Sequence, residues 1–471
     1  MRVLLVHYHL RSGGVTTVIR RQLAALAARD IEASVLTGEA PSSGFDFPFL
    51  IEPSLGYDAP GSGGDVDSDR VRAIVRAVSR EADRLGDDVV VHVHNPTIRK
   101  NASFLSALSS LAASGRRLLL QVHDLAEDWR PDVFSSLPYP DGARWAALNR
   151  FDVEAIGGAG AGPVAFLPNS IPLMDPQNLS GASRPRSSGP GLILYPVRAI
   201  RRKNIGEAVL LSLFARPGTY VGVTLPPTNP KFFPYFEFWR DAAAEFDAPI
   251  EFDIGLNRSL DDAYAEAKAV LTTSVKEGFG LSYLEAASRS RVTLGRRLPR
   301  VVSDFEASGV MFPGLYESIV VPLGSFDVKS FSRRSVAVVE RACAVFGRPE
   351  RGPELGSRVS ESVLGGAVEG PDFGRLDEEA QRETLRSLVS DRRLRTEFIA
   401  ANPFMEGWDA VADTLEPTSP EQLAPWSQAL YGERLVAAYR DVLDQDGVAA
   451  PDKDKLLDCY LLPEYFHGVG I

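Results

Sequence analysis

The chain has 471 residues, 44% of them hydrophobic and 24% charged, with a formal net charge of −11 at pH 7. That length exceeds what one ordinary core organises, so two domains are expected. The acidic balance excludes a general affinity for nucleic acid or anionic membrane, no apolar stretch has the length of a bilayer span, and two distant cysteines, Cys343 and Cys459, exclude a disulfide framework and suit a reducing, cytoplasmic setting.

The opening "MRVLLVHYHL" carries one arginine before a short apolar run and no small-residue cleavage site, so it reads as a first strand rather than a signal peptide. A helix-spaced segment, "VTTVIRRQLAALAARD", follows it. Then come "IEASVLTG" (strand), "DSDRVRAIVRAVSREADRLG" (helix), "DVVVHVHN" (strand), "ASFLSALSSLAASG" (helix) and "RRLLLQVHD" (strand). Such alternation predicts βαβ units and a parallel sheet covered by helices on both faces. At 181–191 the pattern breaks into "GASRPRSSGPG", too rich in Gly, Ser and Pro to pack a core, and this is the expected interdomain linker. The alternation restarts with "GLILYPV", "NIGEAVLLSLF", "TYVGVTL", "FEFWRDAAAEF", "PIEFDIG", "SLDDAYAEA" and "KAVLTTS". Two α/β domains in tandem are the expectation.

Four places carry chemistry. In "RSGGVTTVIRRQL", Gly13 and Gly14 lie between the first strand and its helix, where bare backbone amides suit a phosphate and Thr16 or Thr17 offers a cap. A plain tight turn fits the same residues, and GxGxxG is absent. Five of the six histidines fall at predicted strand ends: His7, His9, His92, His94 and His123. That is the edge where open α/β sheets bind ligands. A His-x-His pair on a strand points both rings to one face and could take zinc, but no acidic or cysteine ligands converge on it.

The third place is "VRAIRRKN". Arg198 and Lys203 stand five apart across a strand-to-helix turn, Arg201 and Arg202 add charge, and Asn204 can cap the next helix. The turn can clamp a diphosphate or be a solvated basic surface. The fourth is "KAVLTTSVKEGFGLSYLEAASRS", which reads strand, loop, helix. Gly278 and Gly280 let the backbone approach a ligand, and the amides of Phe279, Gly280 and Leu281 point outward at the helix start. A helix beginning near Leu281 puts Glu285 about one turn in, with Glu277 on the loop.

Glu277 and Glu285 around "GFGLSYL" resemble the E-x7-E motif of retaining GT-B glycosyltransferases, especially the GT4 group. "GGV", "VVHVHN", "LLQVHD" and the Arg198–Lys203 spacing fall in family order. "ETLRSLVSDRRLRTEF" and "PWSQALYGERLVAAYRDVL" resemble the late helix pair and the terminal helix. The resemblance implies a GT-B fold: two Rossmann-like α/β domains facing across a cleft, with a C-terminal helix crossing back to the first. The boundaries would be an acceptor domain at 1–180, the linker at 181–191, a nucleotide-sugar domain at 192–420, and a crossing helix and tail at 421–471. Within the second domain, 325–380 reads as an insertion or lid that includes the flexible "GRPERGPELGSR".

The resemblance also implies roles. Glu285 would bind the ribose hydroxyls and Glu277 the donor-sugar hydroxyls. Arg198 and Lys203 would neutralise the departing diphosphate, His123 would stand beside the donor sugar, and Gly13 and Gly14 would line the diphosphate and acceptor. His123, Glu277, Arg198 and Lys203 are thus the catalytic candidates. Phe279, Gly280 and Leu281 join them in binding the donor. The expected activity is retaining, metal-independent, front-face transfer from a nucleoside-diphosphate sugar to a small, soluble, anionic acceptor, with no cofactor and no stable membrane association. His94, Arg99 and Lys100 are the acceptor candidates in the first domain, and Arg296 and Arg297 are further cations for the same cleft.

The chain departs from the family where "GVPVV" and a glycine pair are usual: it has "AASRSRVTLGRRLPRVVSDFEASGV", crowded with arginine. Epimerases and phosphorylases share the architecture, but their signatures are missing. Two alternatives stand beside the main reading: a catalytically silent nucleotide-sugar-binding regulator, and a transferase directed at lipid or polysaccharide.

Overall fold

A computed structural model describes residues 1–41, 44–59, 64–173, 191–365, 370–444 and 447–470. The linker expected at 181–191 lies, Gly191 apart, outside the described residues. The chain divides into two compact units. One comprises Met1–Ser170 with Trp426–Leu461, the other Ile171–Pro425 with Leu462–Ile471.

The first unit is built on a seven-stranded sheet in the order β3-β2-β1-β4-β5-β6-β7. The strands are β1 (Arg2–His7), β2 (Ala33–Thr37), β3 (Phe49–Ile51), β4 (Val89–His94), β5 (Arg117–Val122), β6 (Arg144–Ala147) and β7 (Val164–Phe166), and every pairing is parallel. Parallel strands are buried on both faces, which is why "RVLLVH" and "VVVHVH" read as nearly continuous apolar runs. Val3, Leu5, Val90 and Leu119 face Leu23, Leu26, Leu435 and Tyr439. Leu4, Val6, Val91 and Leu120 face the opposite layer with Ile74, Val78 and Leu108. The helix Gln428–Asp444 belongs to this unit. Its Tyr431, Leu435 and Tyr439, spaced by four, make the buried stripe, and the Tyr431 hydroxyl accepts a bond from Gln22 Nε2 at 2.7 Å.

The second unit has a six-stranded sheet in the order β10-β9-β8-β11-β12-β13. Its strands are β8 (Leu192–Arg198), β9 (Tyr220–Leu225), β10 (Ile250–Glu251), β11 (Ala269–Thr272), β12 (Val292–Arg296) and β13 (Leu315–Tyr316), again all parallel. The strands and helices expected from the sequence form. The short strands β3, β6, β7, β12 and β13 were not foreseen, because runs of two to five residues give no clear period.

The stretch "GRPERGPELGSR", expected as a flexible lid, is instead a short turn, Pro349–Arg351, leading into the helix Gly352–Gly365. Leu355, Val359 and Val363 recur every four residues and are buried. Gly352 and Gly356 let this helix lie close against Val328–Val345: a Cβ at Gly356 would stand 3.2 Å from the Val336 Cα. The glycines that suggest flexibility serve helix packing.

Candidate functional site

In a parallel sheet every strand ends on the same edge, and the strand-to-helix loops there hold the chemistry-bearing side chains. In the second unit, β8 ends at Arg198 and leads through the turn Arg201–Lys203 into the helix Ile205–Leu213. Asn204 takes the left-handed conformation, φ 48°, at the helix start. Its side chain does not cap the helix as expected; it donates to Glu207 Oε2 at 2.8 Å and accepts from Gln381 Nε2 at 2.9 Å.

The loop after β11 carries Glu277. Its carboxylate is 9% exposed and held by two cations: Arg202 donates to Oε2 at 2.5 Å, and Lys203 Nζ donates to Oε1. Burial alone would raise the Glu277 pKa, but the charges of Arg202 and Lys203 outweigh it and hold the group at about 2. Glu277 is a carboxylate at any physiological pH. Sequence reasoning paired Lys203 with Arg198. The structure puts Lys203 and Arg202 together on Glu277, with Arg198 nearby in sequence donating to the Pro226 carbonyl at 3.4 Å and Arg201 paired with Glu378 at 3.0 Å. Only the run of four cations hinted at such a division.

The helix Leu281–Ser288 starts where the spacing predicted, with Gly280 at φ 80° as its N-cap. A Cβ at Gly280 would lie 2.6 Å from Val301 Cγ1, so glycine is required by both space and conformation. The Phe279 ring is buried at 5.4 Å from the Phe305 ring centroid, which leaves only its backbone for a ligand. Leu281 is the first helical residue, and the half-buried Glu285 comes one turn later. Glu285 lies near Tyr264, whose hydroxyl pKa is raised first by burial and then by the Glu285 charge.

Arg296 and Arg297 are not free acceptor cations. Arg296 is buried between Glu207 and Asp372, donating to them at 2.6–2.8 Å, and Arg297 pairs with Glu306 at 2.5 Å. Two further arginines of this crowded segment also make contacts within the unit. Arg291 donates to the carbonyls of Tyr264 and Ala265, at 2.9 and 2.8 Å, and Arg289 lies 4.4 Å over the Tyr264 ring.

In the first unit, β1 ends at His7, and Gly13 is the N-cap of the helix Gly14–Ala27. No side chain caps that helix. Thr16 Oγ1 donates to the Arg11 carbonyl at 2.6 Å and Thr17 Oγ1 to the Gly13 carbonyl at 3.2 Å, so neither fills the expected role. A Cβ on Gly14 would meet nothing within 4 Å, so the loop faces open space.

The histidines do gather. The ring centroids of His92 and His94 are 4.5 Å apart in a stack, His7 meets His94 edge-on at 6.1 Å, and His94 Nδ1 lies 3.0 Å from His123 Nε2 in a hydrogen bond. His92 Nδ1 is bonded to the Tyr439 hydroxyl at 2.8 Å. Burial holds the His92 pKa to about 3 and His123 to about 4, and drops His7 and His94 well below the ordinary value, so the cluster is neutral. His94 is wholly buried, a ring partner of His123 rather than an open acceptor ligand. Arg99 is exposed, and Lys100 lies 5.8 Å over the Tyr57 ring, both on the loop after β4. Among the described residues, no group of three or more His, Cys, Asp or Glu is placed to hold a metal ion.

Sequence reasoning also missed Asn95. In the left-handed region at φ 57°, its Oδ1 accepts from the amides of His123 (3.3 Å) and Asp124 (3.1 Å), which ties the end of β4 to the loop after β5. The signal was an Asn directly after a strand, since Asn tolerates that conformation.

No protein-family model matches the chain. It is 26% identical over 374 residues to the mannosylglucosyl-3-phosphoglycerate synthase of Petrotoga mobilis (strain DSM 10674 / SJ95), a match that spans 70% of each protein. Among solved structures, the pneumococcal O-GlcNAc transferase GtfA, in complex with UDP and GlcNAc, aligns over 94% of this chain and 99% of its own, with a TM-score of 0.51 and 10% identity. Anabaena Alr3699/HepE in complex with UDP and glucose aligns over 65% of this chain and 83% of its own, with a TM-score of 0.47 and 14% identity. The fold class is α/β with two Rossmann-like units, the GT-B architecture.

Proposed function

We propose that this chain is a glycosyltransferase that moves a sugar from a nucleoside-diphosphate sugar to a small, soluble, anionic acceptor, with retention and without a divalent metal. The observation that carries the reading is Glu277: a buried carboxylate, held ionised by Arg202 and Lys203, on the loop that opens the helix bearing Glu285. One carboxylate on the loop and another about one turn into the helix that follows, beside bare amides and cations at one sheet edge, suit a ligand that is a diol at one end, an anion in the middle and a sugar at the other.

In this reading Glu285 accepts from the ribose hydroxyls and Glu277 from the donor sugar. Lys203, Arg198 and the amides of Phe279, Gly280 and Leu281 take the negative charge that builds on the diphosphate as the anomeric carbon–oxygen bond breaks. The acceptor oxygen bonds to that carbon on the same face, and its proton passes to the departing phosphate oxygen. Neither glutamate acts as a nucleophile, so carboxylate-pair glycosidase chemistry does not apply. In the first unit, His123 is assigned to the donor sugar, held in place by His94 and Asn95. Gly13 and Gly14 are assigned to the diphosphate and acceptor, and Arg99 and Lys100 to an anionic group of the acceptor.

Support for an anionic acceptor comes from the Petrotoga relative, whose name puts a phosphoglycerate in its product. Among the described residues no helix is long and apolar enough to cross a membrane, and a cytoplasmic setting is part of the same proposal. Calorimetry with UDP and GDP tests the binding half directly. One of them should bind, and Glu285→Ala should weaken it; a protein that binds neither contradicts the proposal.

A further inference from the structure

Residue 202 is bonded to three consecutive residues of the loop that carries Glu277. The Val275 amide donates to the Arg202 carbonyl at 3.0 Å, and Arg202 NH1 donates to the Lys276 carbonyl at 3.0 Å and to Glu277 Oε2 at 2.5 Å. Lys203 shares the same carboxylate through the other oxygen. The Lys203 backbone is fixed, because its carbonyl accepts from the Tyr195 hydroxyl at 2.5 Å and from Thr273 Oγ1 at 3.0 Å. What remains adjustable in Lys203 is its side chain, an ammonium on a long flexible stem.

We propose that Arg202 is a positioning residue that keeps Glu277 and its loop in place when a diphosphate engages Lys203. The proposal rests on the transferase reading above. A diphosphate carries more charge than one carboxylate and competes for the Lys203 ammonium. Glu277, 9% exposed, then needs another cation, because a buried carboxylate stripped of its partner is costly. Arg202 meets that need with a guanidinium that holds the side chain and the preceding carbonyl at once, a grip that an ammonium reproduces only in part.

Of the other cations on this turn, Arg201 is paired with Glu378, and Arg198, which donates to the Pro226 carbonyl, is assigned to the diphosphate. Arg202 and Lys203 face Glu277 from the turn, Ser274 from its own loop, Tyr195 from β8 and Tyr283 from the following helix. Of these, Arg202 and Lys203 are the cations. The division of labour is therefore Arg202 for the carboxylate, with Lys203 and Arg198 left to the leaving group.

The test compares Arg202→Gln, Arg202→Lys and Lys203→Gln in the full chain. UDP and GDP are the binding probes, and UDP-glucose and GDP-mannose the donors. Arg202→Gln should lower kcat about tenfold or more while donor KM and nucleotide Kd change by less than about threefold. The acid limb of its kcat profile should move to higher pH, because Glu277 loses the cation that stays with it when Lys203 engages the diphosphate. Arg202→Lys should recover part of kcat, and Lys203→Gln should weaken nucleotide binding. If Arg202→Gln weakens nucleotide binding as much as Lys203→Gln does, Arg202 is a phosphate ligand and the proposal is wrong. If it leaves both kcat and the acid limb unmoved, the proposal is equally wrong. A wild-type protein that turns over neither donor overturns the transferase reading and this proposal with it.

Discussion

Lys203 donates from Nζ to Oε1 of Glu277, joining the cationic turn after β8 to the loop after β11. The contact crosses adjacent strands of one sheet, β8 and β11, and it unites two sequence motifs 74 residues apart. Its first consequence is a pH dependence. The folded pKa of Glu277, about 2, lies below its ordinary 4.5. The stability it contributes is therefore complete above pH 4.5 and is lost as pH falls from there toward 2. The difference corresponds to about 3 kcal/mol. Glu277→Gln should accordingly flatten the acid side of a Tm-versus-pH profile over that window. A mutant profile parallel to wild type would show that the pair does not hold Glu277 ionised.

The two glutamates should separate in kinetics. Glu285→Ala should weaken nucleotide binding by about 1.5–3 kcal/mol, the worth of a hydrogen bond to a charged acceptor. Glu277→Ala should lower turnover more than nucleoside-diphosphate affinity, since its assigned partner is the sugar. Calorimetry and steady-state kinetics on both variants check this. Equal losses of nucleotide affinity would contradict the assignment.

Arg296 should behave as a structural ion. It is 3% exposed and bonded to Glu207, which is wholly buried, and to Asp372. Arg296→Ala leaves two carboxylates without their cation and should cost about 3–5 kcal/mol in denaturant unfolding. Arg296→Lys should recover only part of that, because one ammonium cannot reproduce the fork. A loss below about 1 kcal/mol would mean the network relaxes easily.

Much of this was legible in the sequence, and what was not has physical causes. The strands β1, β4, β8 and β11 stood out as apolar runs, and the helix start at Leu281 followed from Gly280 and the strand before it. The histidine cluster was visible as a coincidence of strand ends. What stayed hidden is pairing. Which of four clustered cations reaches Glu277 depends on the register of β8 against β11, and which arginine is buried depends on Asp372, 76 residues from Arg296. The helix at Gly352–Gly365 was misread because glycine favours both loops and close helix contacts, and local sequence does not separate the two.

Acceptor recognition is proposed for Arg99 and Lys100, on the loop after β4. Arg99→Glu with Lys100→Glu should raise the acceptor KM about tenfold or more while slow donor hydrolysis stays near wild type. Unchanged acceptor kinetics would show these cations to be ordinary solvated charges.

Metal independence is tested by dialysis against EDTA. Arg198, Lys203 and the helix-start amides are proposed to supply the charge that a divalent ion gives elsewhere, so activity should persist. Loss on chelation with recovery in manganese or magnesium would overturn that part of the mechanism.

The central claim, that this chain transfers a sugar from a nucleotide donor, is tested most directly by following the anomeric signals of UDP-glucose and GDP-mannose by NMR. The protein is present with a phosphoglycerate-type acceptor. The account predicts that wild-type protein consumes one donor and forms a product with the donor's anomeric configuration, and that Glu277→Gln does so at least tenfold more slowly. Saturable binding of a donor without its consumption would contradict it, and would make the chain a nucleotide-sugar-binding regulator.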